Sequence, residues 1–197
     1  IASLVVGNFA AIAQTNVKRM LAFSTIAHMG FVLLGLVAGV NDGTASNAVN
    51  AYSATMFYIV TYVLTTLATF GVILLLSNAK LDVENLSDLS GLNQRSPMMA
   101  GVLGAAMFSL AGVPPMVGFY AKLSVLQALL ESNEAIYVYL AIFAVLMSLV
   151  GAFYYLRIVK LMYFDTPTDG QRATAIQPPV AAKLVLGLNG FSLLAFG

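Results

Sequence analysis

Six apolar runs are the feature that most constrains the fold of this chain. A helix needs about 20 residues to cross the roughly 30 Å apolar core of a bilayer, and four of the runs reach that length. The runs occupy residues 1–13, 20–40, 51–77, 98–130, 135–164 and 180–197, and the first and last are partial. With 60% hydrophobic and 9% charged residues, the composition is too apolar for a soluble domain. We therefore predict an all-α, polytopic membrane helix bundle, a single transmembrane domain fragment over residues 1–197.

The basic residues segregate to one side of the predicted membrane. The connectors after the second and fourth runs contain Asp42, Glu131 and Glu134 and no basic residue. Eight of the nine basic residues lie in or beside the connectors after the first, third and fifth runs, namely Lys18, Arg19, Lys80, Arg95, Arg157, Lys160, Arg172 and Lys183. Because basic connectors remain cytoplasmic, we predict that these three connectors face the cytoplasm.

The run 98–130 is too long for one straight crossing. Its 33 residues would make a helix of about 50 Å. Pro114 and Pro115 remove two backbone donors and disfavour helical geometry before them, and Gly118 follows closely. We predict one interrupted crossing with the helix break at Pro114, Pro115 and Gly118, a feature that marks ion pathways in transporters.

Lys122 is the only charged residue in this interrupted run. It lies nine residues before Glu131, about 14 Å inside the membrane boundary. A lysine at the bilayer centre costs about 2.5–3.5 kcal/mol, which indicates a functional role. Since no run contains a carboxylate, its expected partners are water, hydroxyl groups or residues outside this sequence. His28 lies at a similar depth counted from the opposite face, and its ordinary pKa suits proton transfer, although a lone histidine is more often a packing residue.

Hydroxyl groups line one face of the third run. Thr55, Tyr58, Tyr62, Thr65 and Thr69 are spaced three and four residues apart. We predict that Tyr58, Tyr62 and Thr65 line a channel, with helix–helix contact as the alternative. The tyrosines of the fifth run are expected to form aromatic belts at the two interfaces; they are Tyr137, Tyr139, Tyr154, Tyr155 and Tyr163.

Several classes of protein are excluded or disfavoured. The chain has no cysteine and therefore forms no disulfide, iron–sulfur cluster or thiolate metal site. Its net charge of +1 is not that of a nucleic-acid-binding protein. Neither a phosphate-binding loop nor a metal-ligand cluster nor a catalytic triad is evident, so we predict no cofactor and no metal in this chain.

Two blocks of sequence resemble the antiporter-like proton-translocating subunits of respiratory complex I. The blocks are QTNVKRMLAFSTIAHMGF at residues 14–31 and LSDLSGLNQRSPMMAGVLGAAMFSLAGVPPMVGFYAKLSVLQALL at residues 86–130. The similarity extends over nearly the whole chain and is greatest to the subunit N family of bacterial NADH–quinone oxidoreductases. It implies a fourteen-helix fold of two inverted five-helix repeats, of which this chain holds the second repeat and the start of the last helix.

The resemblance also implies roles for individual residues. Lys122 matches the channel lysine of the GF-x-x-K motif and would carry out proton translocation, and His28 and Lys18 match secondary contributors. The chain would be a non-catalytic membrane subunit of a proton-pumping NADH:quinone oxidoreductase. NADH, FMN, iron–sulfur clusters and quinone would bind to partner subunits. The partners would be antiporter-like and small membrane subunits of complex I and the lipid bilayer, in the bacterial plasma membrane rather than the mitochondrial inner membrane.

Two other functions remain as alternatives. The chain could belong to a multisubunit Na⁺/H⁺ antiporter or membrane-bound hydrogenase, or it could be a structural membrane spacer. Related antiporter subunits carry histidines and a lysine in the helix that matches 51–77, whereas this chain has threonine and tyrosine there. This difference favours the subunit N family.

The charge pattern gives a test of topology. A single cysteine introduced in the connector 80–97 should react with a membrane-impermeant thiol reagent from the cytoplasmic side, and one in 41–50 from the opposite side, because the basic residues segregate that way. The natural absence of cysteine removes background labelling. Labelling of both connectors from one side would contradict the topology.

Overall fold

The computed structural model describes residues 1–40, 45–78, 83–131, 134–167 and 179–197. Within these ranges the regular structure is helical, apart from an isolated bridge between Asn16 and Asn85. The α-helices are α1 (Ala2–Ile12), α2 (Val17–Val40), α3 (Ala45–Asn78), α4 (Leu92–Arg95), α5 (Pro97–Ala111), α6 (Val117–Leu130), α7 (Ala135–Tyr163) and α8 (Val180–Ala195). The predicted all-α fold class is therefore confirmed.

Three of the described helices are long and apolar enough to cross a membrane by length and composition. They are α2, the part Ala48–Ser77 of α3, and α7. Both α2 and α3 begin several residues before the apolar runs that predicted them, because helical geometry extends into polar residues. At the start of α2 the Asn16 side chain accepts a hydrogen bond of 3.0 Å from the backbone N–H of Arg19, which caps the helix.

The interruption of the fourth run is also confirmed. Helices α5 and α6 contain 15 and 14 residues, so each spans about 20 Å and only the pair is long enough to cross a bilayer. Helix α5 ends at Gly112, whose φ of 81° lies in the left-handed region that glycine tolerates best. The peptide bond between Pro114 and Pro115 is cis.

The connectors predicted to share the cytoplasmic side meet at one end of the bundle. Val17 donates a backbone hydrogen bond of 2.8 Å to Glu84, which joins the α1–α2 connector to the segment before α5. Gly91 in that segment donates a backbone bond of 3.0 Å to Leu161 near the end of α7. The structure therefore brings together connectors that the distribution of basic residues predicted to lie on one side of the membrane. Lys80, Arg172 and Asp42, whose sides were predicted from the sequence, lie outside the described residues.

Two apolar clusters are stacked along the bundle with a polar layer between them. One cluster includes Met20, Leu76 and Met99, and the other includes Phe31 and Val125. Four buried polar residues lie between residues of the two clusters along α2 and α3, namely Ser24, His28, Thr61 and Thr65, and Lys122 on α6 shares a cavity with three of them. The packing thus concentrates polar side chains at middle depth.

The expected aromatic belts are partly wrong. Tyr137, Tyr154 and Tyr155 are at most 2% exposed and lie inside the bundle. Tyr139 and Tyr163 are exposed, as belt residues would be. Periodicity did not separate the two groups, because a tyrosine suits both an interface and a buried site with a polar partner.

The close approach of α5 and α6 depends on Gly118. A Cβ atom at Gly118 would overlap the Ser109 carbonyl oxygen, whereas a Cβ at Gly101 on α5 would meet no atom within 4 Å. We expect Gly118→Ala to lower the free energy of unfolding by about 1–3 kcal/mol through overpacking. Thermal unfolding of the full-length protein in detergent measures this, with Gly101→Ala as the matched control. Equal stability of the two variants would contradict the packing account.

Candidate functional site

The amine of Lys122 is held at the helix break. Its Nζ donates hydrogen bonds to the carbonyl oxygens of Leu110 at 2.8 Å and Ala111 at 3.1 Å, and to the hydroxyl of Ser148 at 2.8 Å. It also lies 5.6 Å from the centre of the Phe31 ring, within the range of a cation–π contact. The side chain is buried. The expected hydroxyl partner is thus present, and two backbone carbonyls are added to it.

The two prolines explain why these carbonyls are available. In a continuous helix, each carbonyl accepts a hydrogen bond from the N–H group four residues later. The partners of Leu110 and Ala111 would be residues 114 and 115, which are prolines and have no N–H. The carbonyls of Phe108 and Ser109 are instead satisfied by the backbone N–H groups of Gly112 and Val113. Lys122 therefore binds the two carbonyls that the prolines leave unpaired at the negative end of α5.

The start of α6 is fixed to α5 by Ser109. The backbone N–H of Gly118 donates a hydrogen bond of 3.2 Å to the Ser109 hydroxyl. The same hydroxyl lies 3.4 Å from the Thr65 hydroxyl on α3. Ser109 therefore connects the two halves of the interrupted helix to the hydroxyl-rich face of α3, and it fixes the depth at which Lys122 enters the bundle.

His28 is held between two tyrosines from different helices. Its Nδ1 lies 2.7 Å from the hydroxyl of Tyr58 on α3, and its Nε2 lies 2.9 Å from the hydroxyl of Tyr155 on α7. Tyr155 also bonds to the hydroxyl of Ser24, and the ring of Tyr62 stacks on His28 with centres 4.7 Å apart. A neutral imidazole donates from one nitrogen and accepts at the other. Hydrogen bonds therefore connect Ser24, Tyr155, His28 and Tyr58 without a gap, whichever ring nitrogen of His28 carries the proton.

The predicted hydroxyl face of α3 points into the bundle. Thr55, Tyr58, Thr65 and Thr69 are buried, and Tyr62 is partly buried. Each of these threonines donates its proton to the carbonyl four residues earlier in the helix. Their oxygens consequently face neighbouring groups as hydrogen-bond acceptors.

Two small polar cavities lie beside Lys122 and His28, each with room for roughly one water molecule. The cavity toward α3, the threonine-side cavity, is lined by residues that include Tyr58, Thr65 and Ser109. The cavity toward α7, the tyrosine-side cavity, is lined by residues that include Asn8, Ser148 and Tyr155. Both include Lys122 and His28. His28 and Lys122, which the sequence predicted to lie at similar depth, thus border the same two cavities.

Several site residues were missed from the sequence. Ser109 and Ser148 are single serines in apolar helices and carried no periodic signal. Pro114 and Pro115 lack the N–H groups that would bond to the carbonyls four residues earlier. This was the signal in the sequence that could have identified the partners of Lys122. Lys18, predicted as a secondary site residue, is exposed in the first turn of α2, about 15 Å along the helix from His28; its role stays a prediction.

Among the described residues, no three histidine or carboxylate side chains come together as a metal site. The site is instead a set of one amine, one imidazole and several hydroxyls. These groups can accept, hold and pass protons.

Residues 1–151 match the family described as NADH:quinone oxidoreductase/Mrp antiporter, transmembrane. The chain belongs to this family. It is 61% identical over 197 residues to NADH-quinone oxidoreductase subunit N of Polaromonas naphthalenivorans, covering 100% of the chain and 39% of that protein. The resemblance predicted from the two sequence blocks is confirmed. The chain spans about two fifths of the length of such relatives.

Solved structures show the same helical arrangement. A chain of respiratory complex I from Thermus thermophilus superposes with a TM-score of 0.77 at 31% identity, covering 98% of this chain and 40% of that one. A chain of the Mrp complex from Dietzia gives a TM-score of 0.78 at 22% identity, covering 98% of this chain and 42% of that one, and at that identity it supports the fold alone. Helix α8 and the break between α5 and α6 are therefore parts of an antiporter-like membrane fold.

Tyr155 supports two buried partners, His28 and Ser24. We expect Tyr155→Phe to lower the free energy of unfolding by about 1–3 kcal/mol, because both polar groups lose a hydrogen-bond partner inside the bundle. Tyr139→Phe is the control, since Tyr139 is exposed on the same helix. Thermal unfolding of the full-length protein in detergent compares the two. If Tyr155→Phe proves as stable as Tyr139→Phe, the hydrogen bonds of Tyr155 do not contribute to the free energy of unfolding.

Proposed function

We propose that this chain is part of a proton-translocating membrane subunit of NADH–quinone oxidoreductase, and that Lys122 is the group that takes up and releases the proton. The observation that carries the proposal is the buried amine of Lys122, bound to the Leu110 and Ala111 carbonyls beside His28. A lysine placed at this depth is costly unless it is used.

The helix break couples the charge of Lys122 to the positions of α5 and α6. The carbonyls of Leu110 and Ala111 stabilise the ammonium form, because they lie at the negative end of a helix. A movement that separates α5 from α6 lengthens both bonds and favours the neutral amine. A change in a neighbouring subunit that alters this distance would therefore drive proton release.

His28 supplies the connection from Lys122 to the hydroxyl network. It lines both cavities beside Lys122, and its two nitrogens contact Tyr58 and Tyr155. Water in these cavities would join the amine to the imidazole. In this proposal Tyr58, Tyr62 and Thr65 line the proton path, and Lys18 has a secondary role at the cytoplasmic entrance.

The partners proposed are the antiporter-like and small membrane subunits of complex I, in the bacterial plasma membrane. NADH, FMN, the iron–sulfur clusters and quinone would reside in other subunits, so that this chain carries out no redox chemistry. The whole subunit would contain fourteen helices in two inverted repeats, and this chain would supply the second repeat. The identity to subunit N of Polaromonas naphthalenivorans supports the assignment to complex I, and the helix number, the repeats and the placement of the cofactors are what the family resemblance implies.

The exposure of the helix break also supports assembly with further protein. Pro114 and Pro115 are exposed on the surface of the chain. Irregular backbone at membrane depth is tolerated where protein or a water-filled cavity covers it, and not against lipid. A neighbouring subunit or the remaining part of the same subunit would supply that cover.

The Na⁺/H⁺ antiporter function is the second candidate, and the family description, which includes the Mrp antiporter, is what favours it. The sequence opposes it, because every Asp and Glu lies outside the apolar runs, at or beyond their ends. A sodium gradient that moves protons in the absence of NADH and quinone would favour this function over the first.

Substitution of Lys122 tests the proposed function. Lys122→Ala should abolish proton pumping in reconstituted vesicles and slow NADH–quinone turnover where the two are coupled. Lys122→Arg should not restore pumping fully, because arginine does not release its proton. Lys160→Ala is the control, since Lys160 forms an exposed ion pair of 3.5 Å with Asp165, and Lys18→Ala should have a milder effect than Lys122→Ala. Normal pumping by assembled Lys122→Ala would favour the structural spacer.

A further inference from the structure

Ser148 on α7 is the side chain that binds Lys122 from outside the interrupted helix. Its hydroxyl accepts a hydrogen bond of 2.8 Å from Lys122 Nζ, and it is partly buried. Sequence patterns gave it no role. Because Ser148 contacts the amine that gains and loses a proton in the proposed function, its own hydrogen bonding must change with the charge of that amine.

The three partners of Lys122 differ in what they can do. An ammonium group is a donor of three hydrogen bonds, and a neutral amine has two N–H donors and one lone pair that accepts. The carbonyls of Leu110 and Ala111 have no proton to give, so they bind the amine only as acceptors. The hydroxyl of Ser148 both accepts and donates. Of these partners, Ser148 alone can bond to Nζ in both protonation states by turning its O–H toward the lone pair.

Ser148 also borders two different spaces. It lines the tyrosine-side cavity with Lys122, Tyr154 and Tyr155. It also borders a larger apolar groove of about 280 Å³, together with Val113, Phe119 and Lys122. A proton that leaves Nζ through Ser148 would therefore enter the tyrosine-side cavity, which has polar groups and room for roughly one water molecule.

We propose that Ser148 is the proton relay between Lys122 and the tyrosine-side cavity. In one concerted step an Nζ–H bond of the ammonium breaks and a new O–H bond forms at Ser148. The original hydroxyl proton of Ser148 passes to a water molecule in the cavity, so that serine stays neutral and Lys122 becomes a neutral amine. The water molecule becomes a hydronium ion, and the new O–H bond, which lies along the line from Ser148 to Nζ, donates to the lone pair left on the amine. The reverse sequence reloads the amine.

Other titratable groups face Lys122 and could share this task. They are His28 on α2, Tyr58 and Tyr62 on α3, and Tyr154 and Tyr155 on α7. Nζ bonds to Leu110, Ala111 and Ser148 and to none of these groups, so each would need an intervening water molecule. Ser148 contacts Nζ directly, which makes it the shortest route.

The relay rests on the proposed function and is tested with a matched pair of variants. Ser148→Thr keeps a hydroxyl, and Ser148→Val introduces a side chain of nearly the same shape as threonine that has no hydroxyl. In the complete complex reconstituted in vesicles, Ser148→Thr should pump at close to the rate of the unmodified protein. Ser148→Val should pump at least about tenfold more slowly and show a larger solvent deuterium isotope effect, because proton transfer becomes rate-limiting. A residue with a packing role alone would not change the isotope effect.

Ser124→Ala is the control, since the Ser124 hydroxyl lies on the helix of Lys122 and bonds to the Ala121 carbonyl. If the added methyl groups prevent assembly, Ser148→Ala removes the hydroxyl without adding volume and replaces Ser148→Val. Pumping by Ser148→Val or Ser148→Ala at the rate of the unmodified protein would overturn the relay. Equal loss in Ser148→Thr and Ser148→Val with an unchanged isotope effect would overturn it too.

Failure of the relay is distinguishable from failure of the proposed function. If Lys122→Ala stops pumping and Ser148→Val does not, Lys122 remains the proton carrier and its proton leaves by another route. If Lys122→Ala pumps normally, the proposed function itself fails and the relay fails with it.

Discussion

The bond between Lys122 and the carbonyls of Leu110 and Ala111 is the interaction on which the site depends. Two adjacent prolines leave two adjacent carbonyls without donors at the end of α5. Those carbonyls would be unsatisfied within the membrane, and an unpaired lysine would be costly at the same depth. The lysine supplies donors to the two carbonyls, and the carbonyls supply acceptors to the lysine. The break and the lysine are therefore best understood as one structural unit made by residues twelve and eleven positions apart.

The surrounding helices hold this unit in a polar layer between two apolar clusters. Helix α2 contributes His28, α3 contributes Tyr58 and Thr65, and α7 contributes Ser148 and Tyr155. One apolar cluster packs on each side of this layer. The protonatable groups are thus confined to one depth, where small changes in helix position alter several hydrogen bonds at once.

The hydroxyl groups of this layer have unequal roles. The buried threonines of α3 give their protons to their own helix, so they serve mainly as acceptors toward the cavity. Tyr155, Ser24 and Ser148 bond to side chains of other helices and can exchange donor and acceptor roles. In the proposed function, proton movement would therefore depend more on Tyr155, Ser24 and Ser148 than on the threonines of α3.

The sequence by itself determined the helical membrane fold, the interruption of the run 98–130 and the position of Lys122 deep in the bundle. Apolar run length, missing proline donors and the cost of a charge in lipid are local properties, and each can be evaluated from neighbouring residues. The comparable depth of His28 and Lys122 followed from helical rise as well. The extents of α2 and α3 were underestimated, since polar residues continue both helices.

Only the tertiary structure decided which groups touch. Tyr155 was interpreted as an interface residue and proved to be buried against His28, while Ser109 and Ser148 gave no signal at all. Lys18 lies on the surface, apart from the buried groups. These outcomes depend on how each helix is rotated against its neighbours, and apolar helices with polar residues scattered among them do not specify that rotation. It is set by packing between distant segments, which brings Ser148 and Lys122 together across 26 positions of the chain.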